Sequence, residues 1–344
     1  MARHIGYDGL KTLYELAIDI GELEPWEFMN EEEAWVLRFP DVNLYAVVTG
    51  AEGISLALVF YWGVRGYAAW QDLTSQHLDE KDAIQRLDSL TVFFESWSQL
   101  GHDDKKRLQR LGYIGGPGLW PNMTRYLPGR VPAYPDGDEI TLLIPALRAS
   151  LSLLKLRKKA GIRWSLPEGE DTLPNFVVDP KGHPGPIQWL SAPEIQKEKL
   201  PPAAPPDELG LRRISKASLA PDVSWEIMIG NSGMGVRDTK GNGGFVPLLA
   251  TFVRADSGFV LGFAMASSDE MPYTLPNQLM EAIKKHGAYP RSLKVKQEEL
   301  VEWLKPLAGG LGIEIERVKS VPMAEEALTS IQEAARSGEL KRTR

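Results

Sequence analysis

The stretch VPLLATFVRADSGFVLGFAMA, residues 246–266, decides how the C-terminal part folds. Its two apolar runs, Val246–Arg254 and Phe259–Ala266, flank Ala255-Asp256-Ser257-Gly258. An Asp/Ser/Gly turn between β-rich runs predicts a hairpin. Upstream, Ser224–Gly230 (SWEIMIG) reads as another strand. Downstream, apolar spacing of three and four residues predicts helices over Thr274–His286, Glu298–Leu307 and Met323–Arg336. Strands Ser292–Lys296 and Ile313–Val318 fall between these helices. Thr274 is placed to cap the first helix and Gly287 to end it. The resulting order is βββαβαβα, an α/β arrangement.

Between the first strand and the hairpin lies NSGMGVRDTKGNGG, Asn231–Gly244. Its glycines permit positive φ. No G-x-x-x-x-G-K-[ST] occurs, no G-x-G-x-x-G opens a helix, and Ser232 lacks the glycines of a nucleophile elbow. A hairpin loop is the plainer reading. The functional one is a loop that carries Arg237, Asp238 and Lys240 to a partner.

Farther upstream, KEKLPPAAPPDE (197–208) has four prolines and no apolar periodicity, which predicts a semi-extended linker. It divides the 344 residues into an α+β domain over 1–196 and an α/β domain over 209–344. In the first domain, Leu10, Leu13, Tyr14, Ala17 and Ile20 predict a helix capped by Asp8 and ended at Gly21. Ala34–Phe39, Leu44–Thr49 and Ile54–Trp62 read as strands, the last two joined at Gly50–Gly53. Thr91–Trp97 is a further strand, and Asp103 or Asp104 is placed to cap a short helix ending at Gly112. Residues 112–138 are dense in glycine, proline and aromatics. They predict an ordered loop packed by Trp120, Tyr126 and Tyr134, with no regular element. Ile140–Lys159 is an amphipathic helix, followed by strands Phe176–Val178 and Ile187–Leu190 around an Asp-Pro-Lys-Gly turn.

The chain has no cysteine, which excludes disulfides, zinc–thiolate sites, iron–sulfur clusters and cysteine nucleophiles. His4, His77, His102, His183 and His286 share no local metal-binding spacing. No metal or other cofactor is expected. The net charge of −7 splits into −9 over 1–208 and +2 over 209–344. Bulk coating of nucleic acid is thereby excluded for the first part, and nucleic-acid contact stays open for residues 209–344. The N-terminus shows no signal-peptide core, and the longest mainly apolar run, Ile54–Trp62, is nine residues. That falls well short of the roughly 20 a spanning helix needs, so a soluble cytoplasmic protein is expected.

Among charged residues, Glu31-Glu32-Glu33 read as solvated charge, and Glu325-Glu326 as acids at the positive end of a helix. Trp120 with Arg125 and Arg130 is the aromatic–arginine group that could stack a base or hold a carboxylate. A self-packed loop is its plainer reading.

The pieces LYELA, PWEFM, AVVTG…GISLALVFYWGVRGY, LQRLGY and GLWPNMTRYLPGRVPAYP resemble an uncharacterised bacterial domain family. VPLLATFVRADSGFVLGF, AIKKHGAYPRSLKV and LAGGLGIEIE resemble a second one. Neither resemblance implies an activity. The C-terminal order is also similar to the ribonuclease-H-like fold, above all the retroviral integrase core. SWEIMIG would be its first strand, RADSGFVLGF its hairpin, SLKVKQEE its fourth strand and PMAEEALTSIQEAA its late helix. That resemblance implies carboxylates converging on two Mg²⁺ ions. Here the first-strand slot falls near Met228, with Glu226 the acid in that strand. The fourth-strand slot holds Lys296 and Gln297, and the late helix offers Glu325 or Glu326. A lysine repels a divalent cation. The expectation is a non-catalytic interaction protein with a protein partner. The alternatives are a metal-dependent nuclease or hydrolase using Glu226, Asp238, Asp256 and Asp269, and nucleic-acid binding without catalysis.

Overall fold

The structure, a computed structural model, describes residues 5–51, 53, 55–75, 83–161, 172–195, 203, 211, 214, 218–237 and 243–336. The expected linker therefore lies almost wholly outside the described residues. The chain divides into two compact units: Met1–Pro128 with Pro132–Gln196, and Gly129–Val131 with Lys197–Arg344. Each mixes helices with one main sheet.

In the first unit, helix α1 (Tyr7–Leu23) is followed by strands β1 (Ala34–Arg38), β2 (Asn43–Thr49) and β3 (Ala57–Trp62). Helix α2 (Gly63–Thr74), β4 (Ser89–Ser96), α3 (His102–Arg110) and β5 (Leu119–Tyr126) come next. Helix α4 (Gly137–Ala160), β6 (Thr172–Val177) and β7 (Gln188–Ser191) complete it. The sheet order is β5-β4-β3-β2-β1-β6-β7. Strands β1 to β5 form an antiparallel meander, and β6 joins β1 in parallel. Period-two alternation gives the sheet two apolar faces. Trp35, Leu37, Leu44, Ala46, Leu58 and Phe60 share a core with α1 and α4, while Val36, Tyr45, Val47 and Val59 pack with Tyr67 and Trp70 of α2.

Several local expectations need correction. Helix α1 runs through Gly21 and ends at Glu24, whose φ of 51° is left-handed, and Asp8 does not cap it. Asp103 and Asp104 sit inside the first turn of α3, where Gly101 is the cap position. Thr274 likewise lies inside its helix. Helix α2 was not expected. It starts directly after β3, and Gly66 lets it approach: a Cβ there would fall 2.6 Å from the Asp88 carbonyl oxygen. Residues 112–138 do contain a regular element, β5, whose Pro121 pairs with Phe94. Because β5 is an edge strand, a residue without an N–H is tolerated there. The Glu31–Glu33 run is not simply solvated. Glu33 grips buried Arg157 at 2.7 Å, and Glu31 accepts from the Gly50 N–H.

The second unit contains β8 (Ser218–Asn231), the short pair β9 (Val236–Arg237) and β10 (Gly244–Phe245), β11 (Leu248–Arg254) and β12 (Val260–Ala266). Helix α5 (Met271–His286), β13 (Ala288–Val295), α6 (Glu298–Leu311), β14 (Glu314–Arg317) and α7 (Pro322–Arg336) follow. The sheet order is β12-β11-β8-β13-β14. Strand β11 is antiparallel to both β8 and β12, whereas β13 lies parallel to β8 and β14 parallel to β13. Alternation along β8 sends Trp225, Ile227 and Ile229 into a core with Leu279, Ile283 and Trp303 of α5 and α6. Met228 faces the other way and packs with Val321, Ala324 and Met323 around the start of α7. Among the described residues, no helix is long and apolar enough to cross a membrane.

Candidate functional site

The start of α7 gathers the chemistry of the second unit. A helix leaves its first backbone N–H groups without intrahelical acceptors. Here Pro322 has none to satisfy, and Glu325 N–H donates to the Val321 carbonyl. The two between them, Met323 and Ala324, donate to Glu226 Oε2 at 2.8 and 3.1 Å. Glu226 reaches across from the centre of the sheet because alternation turns it away from the Trp225–Ile227 core. It is 5% exposed, so its charge is held by these two N–H groups and by the positive end of the helix.

Lys296 follows β13 directly. Its Nζ lies 3.2 Å from Glu325 Oε1, and Ser320 Oγ donates to the other Glu325 oxygen at 3.3 Å. The neighbouring Gln297 amide donates to the Ile229 carbonyl. The first strand, the end of the fourth long strand and the last helix thus converge on one helical turn. They bring two carboxylates and one ammonium. Among the described residues, no group of three His, Cys, Asp or Glu side chains is arranged to hold a metal ion.

The remaining candidate residues are scattered. Asp256 lies in the β11–β12 turn, clamped by Arg254 at 2.6 and 3.0 Å, and the guanidinium holds its carboxyl below the usual range. Asp269 follows β12 at its opposite end, so seven residues of extended strand, roughly 20 Å, separate the two acids. Asp238, Lys240 and the Arg237 side chain lie outside the described residues. Arg130 is exposed, and its backbone bridges to Phe245.

In the first unit, Trp120 packs edge-on against Trp97 and Tyr113, with Nε1 donating to the Gly116 carbonyl at 3.3 Å. Arg125 is buried. It pairs with Asp88 at 2.7 Å and Glu139 at 2.6 Å, donates to the carbonyls of Ser89 and Tyr126, and lies over the Trp62 ring. Its donors are committed inside the unit. Glu139 also closes a capping box with Asp136 at the start of α4, so Arg125 ties the edge strand to that helix.

Residues 11–170 match a family model described as a domain of unknown function (DUF7309). Residues 210–332 match another, also described as a domain of unknown function (DUF6930). The chain is a two-domain protein in that sense. None of the curated proteins matches it.

Proposed function

We propose that residues 218–336 form a ribonuclease-H-like domain whose metal-binding positions have become structural contacts, and that the domain is a non-catalytic module for binding a protein partner. The element order βββαβαβα supports this reading, as does a sheet of three antiparallel and two parallel strands in the order 3-2-1-4-5. The observation that carries it is Glu226. The first-strand acid, which would face a metal in an active enzyme, instead caps the last helix through Met323 and Ala324. Lys296 supplies an ammonium where that fold would place a second carboxylate, and it neutralises Glu325. A two-metal centre needs several carboxylates free to bridge cations about 3.5–4 Å apart. Residues 1–196 would then be a separate α+β domain, joined through the proline-rich stretch 197–208.

The reading is tested with the full chain, Mg²⁺ or Mn²⁺, and labelled RNA, DNA and RNA–DNA hybrid. No turnover above the protein-free blank is expected. Turnover that disappears in Glu226→Gln, a variant that keeps an oxygen to cap α7, overturns the proposal. Nucleic-acid binding with a steep salt dependence would replace the protein partner by phosphate contacts.

A further inference from the structure

The face of the first sheet that packs against α2 continues into a small cleft of about 230 Å³. The strand register builds its floor. Arg38 stands opposite Asn43, Val36 stands opposite both Tyr45 and Asn175, and Leu173 stands opposite Leu190. Paired residues share a face, and so do residues two apart on one strand. Strands β1, β2, β6 and β7 therefore turn these side chains to one side. At roughly 30 Å³ per water the cleft has room for about eight waters, which suits a small molecule and not a drug-sized one.

Two polar groups in the cleft are uncommitted. Arg38 is exposed, and among the described residues it makes no ion pair or side-chain hydrogen bond. Asn175 is 6% exposed on a strand inside the sheet, and among the described residues its side-chain amide has no hydrogen-bond partner either. Buried amides are nearly always satisfied, so one that opens onto a cleft marks a position for a ligand atom or a water. Tyr45 differs, because Asn43 hydrogen-bonds its hydroxyl. The charge around the cleft is also distinctive. Residues 1–208 carry a net −9, yet among the described residues no carboxylate lines it. Asp41, in the β1–β2 turn, is exposed and lies outside the lining.

We propose that this cleft binds a small aliphatic carboxylate. The planar fork of the Arg38 guanidinium pairs with the carboxylate, and the Asn175 amide N–H donates to the same group. Asn175 lies diagonally across β1–β6 from Arg38, within reach of a long side chain. A short branched body rests on Leu173 and Leu190. A cation is disfavoured by Arg38. A phosphate dianion would bring a second negative charge without a second cation, and it has no apolar body to cover the leucines.

The test is a ligand-observed NMR titration of the full chain with isovalerate at constant ionic strength. Isovaleramide serves as the neutral isostere and inorganic phosphate as the competing anion. Saturable binding of isovalerate is expected, with binding of the amide and of phosphate at least tenfold weaker. Arg38→Gln should weaken isovalerate at least tenfold, since it removes a hydrogen-bonded charge pair. Asn175→Leu should weaken it several-fold without lowering the melting temperature, because it removes a buried amide that has no partner in the fold. Lys155→Gln, an exposed cation on α4, should change nothing. Failure to saturate, equal binding of the amide, or unchanged affinity in Arg38→Gln or Asn175→Leu overturns the proposal. Phosphate binding as tight as isovalerate overturns the carboxylate assignment, and an equal loss in Lys155→Gln would mean bulk charge attraction and overturns it too.

Discussion

Lys296 Nζ lies 3.2 Å from Glu325 Oε1, so an ammonium ion joins the end of β13 to the first turn of α7. With side-chain exposures of 48% and 32%, the pair adds little stability, below about 1 kcal/mol. Its interest lies in its sign. Lys296→Asp replaces the cation by a second carboxylate beside Glu325, near the turn that Glu226 caps. The variant is expected to melt below the parent in chelator and to gain several degrees with millimolar Mn²⁺, while the parent does not respond. Thermal unfolding with and without the ion measures this. A variant indifferent to Mn²⁺ would remove the equivalence between these positions and a metal site.

Glu226 should behave as a cap. Glu226→Ala leaves the Met323 and Ala324 N–H groups without their acceptor at a buried helix start. It should cost about 1–3 kcal/mol in urea unfolding. Glu226→Gln keeps an acceptor oxygen and loses only the charge, so it should cost less than half as much. Equal losses would mean that the charge, and not the hydrogen bonds, holds α7.

The second unit was legible because its signals are local. Its long strands and its helices announce themselves by apolar period, though the short β9–β10 pair does not, and Gly287 ends α5 at a φ of 66° where a left-handed residue was expected. The first unit was less so. Strand β5 alternates buried Pro121, Met123 and Arg125 with less buried neighbours, but its proline and flanking glycines hid that pattern. Helix α2 depends on the close approach at Gly66, a tertiary fact with no local trace. The candidate site divides in the same way. Glu226, Lys296 and Glu325 could be placed by element order. Their use as cap and ion pair could not, because it depends on α7 packing across the opposite face of the sheet.

Arg125 carries a prediction about stability. It is 8% exposed, with Asp88 and Glu139 at 15% and 18%. Arg125→Met would strand two poorly solvated carboxylates and undo the link between β5 and α4. The expected loss is about 3–5 kcal/mol in urea or thermal unfolding. Arg125→Lys should recover little, because an ammonium cannot reproduce the forked contacts to two acids and two carbonyls. The buried Arg157–Glu33 pair offers an internal comparison. Arg157→Met alone should be costly, and Arg157→Met with Glu33→Leu should restore much of the loss, since an apolar pair leaves no buried charge.

Tyr14 predicts the alkaline behaviour of the first unit. Burial pushes its phenol well above the ordinary value, and burial also raises Tyr134 and Tyr61. The folded state therefore holds protons that the unfolded chain releases above about pH 10. The stability tied to these neutral phenols is fully present below that pH. It is lost as the pH climbs above it toward the folded-state values. Absorbance at 295 nm should show the exposed tyrosines titrating first, with the buried phenols ionising only as circular dichroism reports unfolding. In Tyr14→Phe the ring that fills the α1 core remains, and a buried hydroxyl whose one neighbour is the Tyr134 hydroxyl is gone. Stability at pH 7 should be unchanged or higher by up to about 1 kcal/mol, and the alkaline transition should move to higher pH. A Tyr14→Phe protein less stable at pH 7 would show that the hydroxyl is satisfied in solution, by Tyr134 or by a water between them.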